Sequence, residues 1–116
     1  MIEKHVVSLE IAKQLKEAGW TKETEFWWVI YDKDWFLAHI DEGLTDTNNQ
    51  IPAPLATEIL EELPKGKIRI LNRYKHYEVY FEHDDKLPID QQYITNMSLP
   101  EALANMWLYL KKEKLL

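Results

Sequence analysis

Apolar residues recur at helical spacing near both ends of the chain and alternate with polar ones in between. After Ser8, the residues Ile11, Ala12, Leu15 and Ala18 share one face, while Glu10, Lys13, Gln14, Lys16 and Glu17 occupy the other. This predicts a first helix capped by Ser8 and stopped by Gly19, with Trp20 folding back on Leu15. At the other end, Ser98 precedes a face of Leu99, Ala102, Leu103, Met106, Trp107 and Leu110, and Lys111, Lys112 and Lys114 complement the negative end of the helix dipole. Ser98 and Glu101 have the spacing of a capping box, and Pro100 is tolerated in the first turn, where its missing N–H has no helical partner.

Between these helices the period changes. Glu25 to Tyr31 is rich in aromatic and β-branched residues, and Asp32-Lys33-Asp34 offers a short turn into a second strand, Trp35 to Ile40. Both strands are apolar on both alternations, so the hairpin needs cover on two sides. Asp41 to Ala53 has no periodicity and reads as a long loop, expected to be the most mobile internal segment. Pro54 opens a short helix with Leu55, Ala56, Ile59, Leu60 and Leu63 on one face, ended by Pro64. Ile68 and Ile70 then alternate with Lys67 and Arg69, and Tyr77, Val79 and Phe81 alternate with Glu78, Tyr80 and Glu82, which gives a second hairpin with its turn near Asn72 to Lys75. Within Asp84 to Met97 the one strand-like piece is Tyr93-Ile94-Thr95. The expected fold is a single α+β domain over residues 1–116, in the order α-β-β-α-β-β-α, with a mainly antiparallel sheet of four or five strands and three helices.

Composition narrows the chemistry. The 116 residues contain no cysteine, which excludes disulfides, thiolate zinc sites and a cysteine nucleophile within this sequence. No apolar run approaches the roughly 20 residues of a membrane span, and the first residues do not look like a signal peptide, so a cytoplasmic protein with no membrane partner is expected. The net charge of -6 is uneven: residues 1–50 hold 5 Lys/Arg against 10 Asp/Glu, residues 51–116 hold 9 against 10. That balance argues against generic binding to phosphate backbones.

Three constellations carry candidate chemistry. His39 and Asp41 share a strand face, as a carboxylate-oriented base or two metal ligands would, but they need a third group, such as His83, Asp84 or Asp85, and two residues alone fit a surface histidine near a loop. No metal or cofactor is expected. The run Lys65, Lys67, Arg69, Arg73, Lys75 with Tyr74 and Tyr77 has the look of a single-strand binding surface. Its alternation with Ile68 and Ile70, and Glu78 and Glu82 on the partner strand, instead fit a solvated strand face, so nucleic acid is not expected as a partner. Trp27, Trp28, Tyr31 and Trp35, with His39 and Asp41, form the expected binding surface, although the five tryptophans sit inside the periodic patterns and read as core and sheet packing rather than as an aromatic cage. Only three glycines are present, and no phosphate loop, hydrolase, kinase or metalloprotease signature occurs.

The segments Ser8 to Trp20, Phe26-Trp27-Trp28, Ile51 to Leu60 and Glu101 to Leu110 together resemble an uncharacterised family of small phage and prophage proteins. These segments are caps and core faces, so the resemblance implies a shared fold and a bacterial or phage setting and carries over no catalytic residue. The resulting expectation is a non-enzymatic accessory protein that binds a host or phage protein or itself, most simply as a two-fold dimer. A small-ligand binder with an aromatic pocket is the alternative, and a metal-dependent hydrolase using His39, Asp41 and His83 to Asp85 is the remaining one.

Overall fold

A computed structural model describes residues 5–39, 50–81, 93–96 and 98–116. The first helix, α1, is Leu9–Glu17. Ser8 Oγ accepts the Ile11 N–H at 3.3 Å, as an N-cap should. At the far end Gly19 takes φ +102°, so that its N–H reaches Lys16 O at 3.2 Å and the Trp20 N–H reaches Leu15 O at 2.9 Å. That pair of bonds satisfies the last carbonyls of the helix and turns Trp20 back over it, as the sequence predicts.

Strands β1, Phe26–Tyr31, and β2, Asp34–His39, pair antiparallel from Phe26↔His39 to Tyr31↔Asp34. The connecting loop is only Asp32 and Lys33, at φ 51° and 72°. Positive φ at both positions is what a two-residue hairpin turn of the right twist requires, so Asp34 joins the strand instead of the turn. A third strand, β3, is Gln50–Pro52 and pairs with β1 through Trp28↔Ile51. It corrects the expectation of loop up to Ala53. Three residues are too short to show a period, and Pro52 is admissible because β3 lies at a sheet edge. Residues Ile40 to Asn49, with the expected mobility of that loop, lie outside the described residues.

Helix α2, Ala56–Glu61, follows Leu55, which has no capping side chain. Glu58 supplies the missing acceptors: Oε1 takes the Leu55 N–H at 2.7 Å and Oε2 takes the Glu25 N–H at 2.8 Å, tying the helix start to the approach to β1. Strands β4, Ile68–Asn72, β5, Tyr77–Phe81, and β6, Tyr93–Asn96, form a second antiparallel sheet in that order. Helix α3, Leu99–Lys112, closes the chain. Its Ser98 Oγ lies 3.5 Å from the Glu101 N, but the Glu101 carboxylate does not return to Ser98, whose N–H goes to Asn96 Oδ1 at 3.0 Å. Glu101 Oε1 instead accepts the Ser8 N–H of α1 at 3.1 Å.

The fold is therefore α+β with three helices, but the single sheet of the sequence reading is two three-stranded antiparallel sheets, β2-β1-β3 and β4-β5-β6. Helix α3 packs on β5, β6, α1 and α2, and α1 packs on β3, so the helices bridge the sheets. Leu15, Ile59, Leu103, Met106, Leu110, Val7 and Val79 are the large side chains fully enclosed there. Strand pairing is a long-range choice that alternation alone does not determine.

Candidate functional site

Register divides the expected aromatic surface. Phe26, Trp28 and Ile30 share one face of the first sheet with His39, Leu37 and Trp35, and Trp27 and Val29 share the other with Ala38 and Phe36. Trp28 and Trp35 pack against the core, with the Trp28 Nε1–H donating to Val7 O at 3.0 Å and Lys13 Nζ 5.3 Å from the Trp35 ring centroid. They are scaffold on the inner face. Trp27 alone of the three tryptophans faces outward, near Phe36, which is 52% exposed. Tyr31 closes the hairpin opposite Asp34. The expected His39–Asp41 pair is not described, since Asp41 lies outside the described residues, as do His83, Asp84 and Asp85. His39 Nε2 lies 2.9 Å from Glu25 Oε1 and its ring stands edge-on to Phe26 at 5.0 Å.

The outward Trp27 lines a groove of about 320 Å³ with Lys16, Trp20, Thr21, Lys22, Glu23, Gln50 and Pro52. A second groove of about 200 Å³ lies between Trp20–Lys22, Gly19, Glu62, Trp107, Lys111 and Leu116. Trp20, Thr21 and Lys22 line both, so this segment divides the two clefts as a ridge whose exposed residues are Thr21 and Lys22, with Trp20 buried beneath them. The sequence builds that ridge. The glycine turn after α1 throws Trp20 against Trp107 of α3, ring centroids 5.3 Å apart and nearly perpendicular. Trp20 Nε1–H then donates to Lys22 O at 3.0 Å, and Thr24 Oγ1–H donates to Phe26 O at 2.7 Å, which fixes the link into β1. Lys16 Nζ reaches Gln50 O at 3.4 Å across the first cleft, and Lys22 Nζ lies 3.8 Å from Glu62 across the second. Aromatic walls, lysines and backbone held by side-chain bonds can bind, and among the described residues the lining has no histidine or paired carboxylates for proton transfer. Sequence reading assigned Trp20 to a helix cap and Trp107 to the core and so missed their meeting. A tryptophan at the C-cap glycine was the available signal.

A second polar cluster sits on the solvent face of β5. Glu78 Oε1 accepts from Tyr80 Oη at 2.9 Å and from Arg73 Nε at 3.1 Å, and Oε2 lies 3.0 Å from His76 Nε2. The bonds from His76 and Tyr80, then Arg73, hold the Glu78 carboxyl at about 2, well below its ordinary 4.5. Glu78 therefore does not serve as the expected cross-strand counter-charge to Lys67 and Arg69: it stands opposite Leu71 and is taken up by Arg73 and His76 at the turn, while Glu82 lies outside the described residues. Among the described residues there is no group of three or more His, Asp or Glu that could hold a metal ion, and no helix is long and apolar enough to cross a membrane. No family description, curated protein or solved structure matches the chain.

Proposed function

We propose that this chain is a non-enzymatic accessory protein, of the phage and prophage type its sequence resembles, that works by binding another protein chain across the Trp20–Lys22 ridge. The observation that carries the reading is the pair of open clefts on either side of that ridge, one walled by Trp27 and one by Trp107. The first cleft, about 320 Å³, has the volume of a small-ligand site, but such sites enclose most of their occupant, whereas both clefts lie open at the surface and offer a protein partner relief, aromatic walls and a polar rim. Here the lysines and Glu23 and Glu62 provide the rim.

Affinity capture from bacterial lysate with native mass spectrometry tests it. A protein partner retained by the wild type and lost with Trp27→Ala and Lys22→Glu, both of unchanged melting temperature, supports the ridge. A small molecule carried through purification supports the ligand-binding alternative instead. Capture that ignores both substitutions moves the surface elsewhere.

Self-association rests on a separate observation, the exposed Phe36 beside Trp27 and Val29 on the outer face of the first sheet. Light scattering of the wild type at high micromolar concentration should give a dimer mass that Phe36→Ser reduces to a monomer. A monomer mass throughout removes the dimer.

A further inference from the structure

The β4–β5 hairpin presents charge and aromatic surface that the Trp20 ridge does not use. Arg69 and Tyr80 face each other across the strands, with the guanidinium carbon 4.9 Å from the ring centroid. Arg73 and His76 are taken up by Glu78, whose side chain is only 15% exposed. Lys67, Arg69 and Lys75 are different: all three are exposed and none has a carboxylate within 4 Å among the described residues. Only Arg73 of the four cations is therefore balanced by Glu78, and Glu82 lies outside the described residues. The acid excess that sets the net charge of -6 lies in residues 1–50, away from this hairpin in sequence.

At the tip, the Arg73 N–H closes the turn on His76 O at 2.8 Å, and Tyr74 stands 95% exposed, with Lys75 Nζ 5.6 Å from its ring centroid. A ring held in water forgoes the roughly 1.5–3 kcal/mol that burying a large apolar side chain yields, and turns favour small polar residues at such places. The geometry points to a single-stranded nucleic acid site on this hairpin: an unpaired base stacks on Tyr74 and the adjoining phosphates meet Lys67, Arg69 and Lys75. A duplex offers no free base face to the ring, and a run of carboxylates matches the cations in charge but brings no ring to stack on Tyr74. The braced Glu78 cluster keeps Arg73 and Tyr80 in place beneath the strand.

Fluorescence anisotropy with a labelled oligothymidylate of roughly 20 nucleotides tests this, since stacking platforms accept any base. Binding at low salt is expected, with log K falling against log salt at a slope of about -2, three phosphates at about 0.7 each. Tyr74→Ala should weaken binding about tenfold, in the range of one lost base stack. Lys67→Glu with Lys75→Glu should abolish it; both positions are exposed, and circular dichroism checks that the fold survives. Trp27→Ala should leave it unchanged, which separates this site from the protein-binding ridge. No binding at low salt overturns the proposal, and so does binding that Tyr74→Ala does not weaken. Equal competition by polyglutamate of similar length overturns it in favour of an acidic protein partner.

Discussion

The Glu101 carboxylate of α3 accepts the Ser8 N–H at 3.1 Å, so one side chain joins the starts of two helices 93 residues apart in sequence. Its charge lies at the positive end of both helix dipoles, and Ser8 Oγ caps α1 from the same position. Glu101→Ala should lower unfolding free energy by about 1–2 kcal/mol, the range for a charge-assisted bond at a helix start. Glu101→Gln, which keeps an acceptor, should lower it by less. Urea melts of the two variants compare them directly, and equal losses would mean that charge contributes nothing there.

The packing of α3 predicts a sharper contrast. Leu103 is almost fully enclosed, Trp107 stacks edge-on with Trp20, and Lys112 is exposed. Leu103→Ala and Trp107→Ala should each cost about 2–5 kcal/mol through the cavity left behind. Lys112→Ala should cost about 0.5 kcal/mol or less. Denaturant midpoints showing all three alike would contradict the helix phase.

The first hairpin turns on two non-glycine residues of positive φ, Asp32 and Lys33. A side chain in that region costs about 1–2 kcal/mol, part of which glycine returns as unfolded-chain entropy. Lys33→Gly should therefore stabilise the protein by up to about 1 kcal/mol, a rise of a few degrees in melting temperature. A fall in melting temperature would show that the Lys33 side chain makes a favourable contact at the turn.

Acid stability should depend on Glu78. Its carboxyl is held at about 2 in the folded protein, mainly by hydrogen bonds to His76 and Tyr80, against 4.5 ordinarily. The folded form thus prefers the carboxylate more strongly than the unfolded chain does. The stabilisation is fully present above about pH 4.5 and is lost as the pH falls towards 2. Glu78→Gln should lower stability at neutral pH and flatten the decline between those values, as chemical denaturation at stepped pH would show. A decline of unchanged steepness would place the acid sensitivity on other carboxylates.

What the sequence made legible follows from how local each signal is. Ser8, Gly19, Pro64 and Ser98 mark helix ends through backbone chemistry confined to a few residues, and the helices fall where those residues put them. The strand-like Tyr93-Ile94-Thr95 falls within β6, its aromatic and β-branched residues being a local signal as well. Strand β3 escaped because Gln50–Pro52 has no period and owes its pairing to Trp28, more than 20 residues away. The division into two sheets escaped likewise. Adjacent Trp27 and Trp28 could not be assigned to one surface, since alternation sends neighbours to opposite faces and only tertiary packing decides which face is covered. The ridge needs Trp20, from the turn after α1, to meet Trp107 of α3, a contact no local pattern encodes.

The most direct test of the central claim places a photo-crosslinking residue at Thr21, on the ridge, and at Thr57, an exposed position on α2 that lines neither cleft. Both variants are irradiated in bacterial lysate and the adducts identified by mass spectrometry. A defined protein adduct from Thr21, absent from Thr57 and suppressed by Trp27→Ala, is the predicted result. No protein adduct from Thr21, or the same adducts from both positions, would contradict the binding ridge.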